Sequence, residues 1–109
     1  MRIETYGQTI EVTPALREYV ETKLKRLERH FDQPLECRTQ LGFSKPDYVA
    51  EATINLSGRT LHADAGAQTM YAAIDILADK LDRVLTAEKE KKQQKKQQHA
   101  PLPVGDNGG

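Results

Sequence analysis

The feature that most constrains this chain is a set of alternating apolar runs whose registers check one another across two turns. Leu35, Cys37, Thr39, Leu41 and Phe43 alternate with Glu36, Arg38, Gln40 and Gly42. After Ser44-Lys45-Pro46-Asp47, the residues Tyr48, Ala50, Ala52, Ile54 and Leu56 alternate again. Pairing Phe43 with Tyr48 sets Leu41 opposite Ala50, Thr39 opposite Ala52 and Cys37 opposite Ile54. The tight loop Ser57-Gly58 then sets Ile54 opposite Leu61, Ala52 opposite Ala63 and Ala50 opposite Ala65. Side chains alternate with a period of two, so a slip of one residue at either turn would send an apolar set to the wrong face. Both turns agree. The pattern predicts three antiparallel strands with one face buried and the other in water.

Helices are expected before and after these strands in the chain. Arg2–Tyr6 is a short alternating run and reads as a first strand. Thr13-Pro14 opens a helix, with Thr as N-cap and Pro tolerated at the first helical position. Leu16, Val20, Leu24, Leu27 and Phe31 follow at helical spacing, and the pattern breaks at Asp32-Gln33-Pro34. Thr69 caps a second helix whose stripe is Met70, Ala73, Ile74, Leu77, Leu81, Val84 and Leu85. The expected class is α+β in the order β-α-β-β-β-α: a four-stranded mixed sheet with two helices packed on one face, a layout resembling a double-stranded RNA-binding domain. A strand-helix-strand connection makes the first two strands parallel if they are adjacent. The domain is expected to span residues 1–92. Residues 93–109 read as a tail, basic and then rich in Pro and Gly, too poor in apolar residues to order itself.

The chain has 109 residues, enough for one domain. No apolar run approaches the roughly 20 residues of a membrane span, and the N-terminus lacks an apolar signal core. A single cysteine, Cys37, excludes an internal disulfide and sits among buried positions, as a small hydrophobe would. A reduced, cytoplasmic protein is expected. Lys plus Arg equals Asp plus Glu at 16 each, so no overall basic field marks a nucleic-acid binder. Any RNA contact must come from charges sorted in space.

The helices sort them. On a wheel, Lys23, Lys25, Arg26, Arg29 and His30 fall on one side of the first stripe, and Glu21 and Glu28 with Arg17 on the other. In the second helix Lys80 and Arg83 occupy one flank and Asp75, Asp79 and Asp82 the other. Such sorting lets a neutral protein present a local positive surface to phosphates. The plainer reading is a solvated face with helix-stabilising pairs, since Glu21 precedes Lys25, and Asp79 precedes Arg83, by four residues.

Catalysis has little footing. Gly-rich phosphate loops, His-Glu-x-x-His, Cys-x-x-Cys and Gly-x-Ser-x-Gly are all missing from the sequence. His30, His62 and His99 share no ligand spacing, so neither a metal nor another cofactor is expected. Glu51 and Asp64 face each other on the open sheet surface, without a pocket to shift a pKa. That surface carries Arg38, Gln40, Thr53, Asn55, Thr60 and His62 in place of the stacking aromatics of an RNA recognition motif.

Ala15-Leu16-Arg17-Glu18-Tyr19-Val20 with Lys23-Leu24 and Leu27-Glu28 resembles the first helix of the hibernation-promoting factor and ribosome-associated inhibitor family, also called the sigma-54 modulation family. Met70-Tyr71-Ala72-Ala73-Ile74-Asp75, Asp79-Lys80-Leu81, Arg83 and Leu85-Thr86 are more specific still. The resemblance covers residues 1 to about 92. It implies a non-enzymatic protein that binds the small ribosomal subunit and its 16S ribosomal RNA near the decoding centre, where it competes with messenger and transfer RNA. The matching basic positions are Lys23 and Arg26, then Lys80, Arg83, Lys89 and Lys91; Lys25 and Arg29 join them from the sorting of the first helix. Ala87 and Glu88 depart from the family's basic pattern. The chain reads as a short form, monomeric when free. A regulator contacting another protein through its charged helix faces is the alternative.

Overall fold

The first turn of each helix is held by a threonine hydroxyl. Thr13 Oγ1 accepts from the Leu16 amide at 3.2 Å, and Thr69 Oγ1 from the Ala72 amide at 3.1 Å. Each cap satisfies one of the donors that a helix start leaves unpaired. In the computed structural model, which describes residues 1–31, 35–56 and 58–96, these caps open α1 (Pro14–Lys25) and α2 (Met70–Lys96). The strands are β1 (Arg2–Gly7), β2 (Glu36–Ser44), β3 (Asp47–Leu56) and β4 (Arg59–Ala67). The order is β-α-β-β-β-α, as expected.

The sheet runs β1-β2-β3-β4, with β1 parallel to β2 and the other pairs antiparallel. Every cross-strand pair expected from the two turns is present: Phe43 with Tyr48, Cys37 with Ile54, Ile54 with Leu61 and Ala50 with Ala65 among them. Gly58 supplies the positive φ of 85° at the second turn, a conformation that costs glycine nothing.

α2 packs on β3 and β4, and α1 on β1 and α2. Between the helices and the sheet lies one core, in which Val20, Leu24, Leu41, Ala50, Ile54, Ile74, Leu77 and Leu81 are fully buried. Small residues at Ala50, Ala52, Ala65 and Ala73 let helix and sheet approach closely. One difference concerns the end of the first helix. Its stripe continues to Phe31, but the α-helix ends at Lys25 and tightens into a 3₁₀ segment, Arg26–His30, with Leu27 buried. A 3₁₀ turn narrows the last turn of a helix, and Phe31 then leaves in extended geometry with its amide bonded to the Glu28 carbonyl.

α2 continues as helix through Lys96, eleven residues past Leu85, the last buried residue of its stripe. Side chains are described in it through Glu88. The expected break at Asp32-Gln33-Pro34 lies outside the described residues; of the tail expected from residue 93, residues 93–96 continue α2 as helix and the rest lie outside the described residues. Among the described residues, no helix is long and apolar enough to cross a membrane.

The core assignment has a measurable contrast on α2. Ile74 is fully buried whereas Ile76 is 41% exposed. Ile74→Ala should cost about 2–5 kcal/mol in chemical denaturation, and Ile76→Ala within about 0.5 kcal/mol.

Candidate RNA-binding surface

Because both helices cover the same sheet face, the basic edge of α1 meets the acidic edge of α2. Lys23 Nζ lies 3.2 Å from Asp75 Oδ1, and Arg29 Nη2 lies 3.1 Å from Asp82 Oδ1. His30 Nε2 is 2.7 Å from the same Asp82 oxygen; an ionised carboxylate only accepts, so Nε2 carries the proton. At the other end the Tyr19 hydroxyl donates to Asp75 Oδ1 at 2.7 Å, while Lys23 sits 5.4 Å from the centre of the Tyr19 ring. Tyr71 meets Tyr19 edge-on, with ring centres 4.8 Å apart. Two carboxylates of α2 thus each gather two donors from the first helix and its 3₁₀ extension.

The sorting seen in the sequence is therefore an interhelix seam as well as a surface. Neither Glu21–Lys25 nor Asp79–Arg83 closes to ion-pair distance among the described residues; the pairs formed by these helices run between elements. Arg26 and Asp79 line the same groove, of about 340 Å³, with no ion pair of their own. Arg26 and Lys25 are exposed.

Lys80 and Arg83 lie on the far flank of α2, beside β4. They border a shallow hollow with His62 and Asp64, and Lys80 Nζ donates to the Asp64 carbonyl at 2.7 Å. The candidate cations form two patches, one on α1 and one between α2 and β4, with the acids of α2 between them. Lys89 and Lys91 fall in the outer part of α2, where only the helical backbone is described.

Arg59 meets both Glu88 oxygens, at 3.1 and 3.0 Å. Glu88 is largely covered, with 13% of its side chain exposed. The pair ties the β3–β4 turn to α2 beyond its last buried residue, which gives Glu88 a structural role. Nothing in the local spacing of either residue signals it, because they are 29 positions apart. Breaking the pair with Arg59→Ala should speed amide exchange over residues 86–96 about threefold or more, as expected for a helix end held mainly by its own hydrogen bonds. Exchange in β2 should not change.

Elsewhere the surface is quiet. Tyr6 is 45% exposed and donates to Glu4 while lying 5.9 Å from the Arg38 guanidinium. Glu51 and Asp64 pair across the open face, and His62 contacts Thr53 at 3.2 Å. Burial raises the Cys37 thiol pKa, so this cysteine is poorly reactive. Among the described residues no three His, Cys, Asp or Glu side chains are grouped to hold a metal.

The seam is pH-dependent. The hydrogen bond from His30, joined by Arg29, lowers the Asp82 pKa despite partial burial. For Asp75 burial pushes upward, but the Tyr19 and Lys23 hydrogen bonds and the charges of Lys23 and Arg26 win and lower it. A depressed folded pKa stabilises above the unfolded value, near pH 4, and that stabilisation is lost as pH falls through the folded value. The double variant Asp75→Asn/Asp82→Asn should melt below the parent at neutral pH. The gap should close as the pH falls from neutral through the lowered carboxylate pKa values.

The same fold and much of the same sequence occur in known proteins. Residues 3–93 match the family described as sigma 54 modulation protein / S30EA ribosomal protein. The ribosome hibernation promoting factor of Azotobacter vinelandii is 45% identical over 101 residues, covering 93% of this chain and 94% of that protein. That of Escherichia coli K12 is 42% identical over 94 residues, covering 86% and 99%. The crystal structure of the Thermus thermophilus Protein Y N-terminal domain matches with a TM-score of 0.76 and 32% identity, over 81% of this chain and 99% of that one. A ribosomal subunit interface protein from Coxiella burnetii matches at 0.73 and 32%, over 83% and 99%. Fold, register and sequence agree over nearly the whole β-α-β-β-β-α unit, and the chain belongs to the sigma 54 modulation protein / S30EA ribosomal protein family.

Proposed function

We propose that this protein is a cytoplasmic ribosome hibernation factor that binds the small ribosomal subunit near the decoding centre and keeps messenger and transfer RNA out, preserving idle ribosomes under stress. The observation that carries this reading is the near-full-length likeness to ribosome hibernation promoting factors. The two basic patches flanking α2 support it, because phosphates are bound by clustered Lys and Arg on a rigid frame. Lys23, Lys25, Arg26, Arg29, Lys80 and Arg83, with Lys89 and Lys91 farther along α2, are the proposed contacts to 16S ribosomal RNA. Helix edges carrying cations read the shape and backbone of folded RNA more than its base sequence.

The mechanism is occupancy. A close-packed domain does not yield to an incoming RNA strand, so it and the translation ligands exclude each other from one channel. No covalent step is involved, and inhibition is reversible.

Arg26 and Arg83 offer the cleanest test, since neither makes an ion pair or side-chain hydrogen bond among the described residues. Arg26→Glu/Arg83→Glu should leave the circular dichroism spectrum and melting temperature nearly unchanged. It should weaken co-sedimentation with small subunits about tenfold or more, because each lost phosphate contact also forfeits counterion release. In a purified translation system the parent should block initiation on vacant subunits strongly, and subunits preloaded with messenger and initiator transfer RNA much less. Inhibition that is independent of the order of addition, or subunit binding unaffected by the double reversal, would count against this function.

A further inference from the structure

The groove between the helices sets Lys23, Arg26 and Arg29 against Asp75, Asp79 and Asp82. Three cations face three carboxylates, so the groove as a whole is neutral. Lys23 and Arg29 already have carboxylate partners, and Arg26 lines the same groove as Asp75 and Asp79. A phosphate approaching this edge must displace an intramolecular acid or settle beside one.

The charge of the acids adds only modestly to the hold between the helices. Lys23, Arg29, Asp75 and Asp82 have side chains 26%, 65%, 45% and 36% exposed, and ion pairs at that exposure contribute little. The seam is closed beneath them by Leu24, Leu27, Ile74, Leu77 and Leu81, all buried. Asp79 makes no ion pair or side-chain hydrogen bond among the described residues, yet stands in the same row. Asp79 in particular has no bonding role in the seam, and all three aspartates line the rim of a basic edge.

We propose that Asp75, Asp79 and Asp82 are specificity-determining residues: in the free protein Asp75 and Asp82 pair with Lys23 and Arg29, and the three acids together repel phosphates that arrive in the wrong geometry. Only an RNA surface whose backbone reaches the outer sides of Lys23, Arg26 and Arg29 while passing clear of α2's acidic edge gains the full attraction. Like charges brought together suppress wrong partners more effectively than added attraction selects right ones. The device rests on the proposed ribosome binding, and it predicts the unusual result that removing acids improves RNA affinity in general while eroding discrimination.

Asp75→Asn/Asp79→Asn/Asp82→Asn preserves shape and retains acceptors for Tyr19, Lys23, Arg29 and His30, while the groove gains three units of positive charge. Asp79→Asn alone is the second variant, at a position with no bond to lose. Affinity would be measured, below the melting temperature of each variant, for a duplex RNA of about 20 base pairs unrelated to ribosomal sequence and for vacant small subunits. The triple variant should bind the duplex about tenfold or more tightly, with a log–log salt slope steeper by up to about two to three units. Asp79→Asn should move it the same way, about twofold to threefold. Affinity for small subunits should rise less, so the ratio between the two targets falls. Duplex affinity unchanged or weaker in the folded variants, or an equal gain on both targets, overturns the proposal. A parent protein that does not bind small subunits overturns the proposed function instead, while the duplex comparison still decides whether the acids mask the cations.

Discussion

Burying one face of a four-stranded sheet under two helices obliges those helices to lie side by side, and most of what distinguishes this surface follows. The strands alternate so strictly that Cys37, Leu41, Ala50, Ile54 and Leu61 present one continuous apolar face. α2 covers β3 and β4, α1 takes the remaining space over β1, and the two flanks between them meet. That meeting decides which charges are paired and which stand free. The groove is consequently neutral as a whole, although α1 is basic along that edge.

The fold was legible because its signals are local or nearly so. Period-two alternation, two short turns and two threonine caps fix strand register and helix starts from residues less than about twenty positions apart, and each appears in the structure. The end of the first helix was less legible. The Leu27 and Phe31 spacing continues a helical stripe, and only tertiary packing decides whether the last turn is α or 3₁₀. Helix propensity is a weak prior at such an end, where tertiary contacts override it.

The charged surface was half legible. A helical wheel places Lys23, Arg26 and Arg29 together and Asp75, Asp79 and Asp82 together, but it cannot say that the two rows face each other. The pairs that matter, Lys23–Asp75, Arg29–Asp82 and Arg59–Glu88, span 52, 53 and 29 positions, and no one-dimensional spacing encodes them. The pairs that spacing does suggest, Glu21–Lys25 and Asp79–Arg83, do not close among the described residues. A residue such as Glu88 thus looks like a departure from a basic pattern until its partner is seen.

These features converge on the proposed function, in which a close-packed, nearly neutral domain would bind ribosomal RNA through two local basic patches and act by occupying the path of messenger and transfer RNA. Nucleotide-resolution chemical footprinting of 16S ribosomal RNA in vacant small subunits, with and without the protein, tests that claim most directly. The account predicts protection of decoding-centre nucleotides that messenger and transfer RNA also protect, lost when Arg26 and Arg83 are reversed to Glu. Saturating binding that leaves those nucleotides as reactive as in free subunits would contradict it.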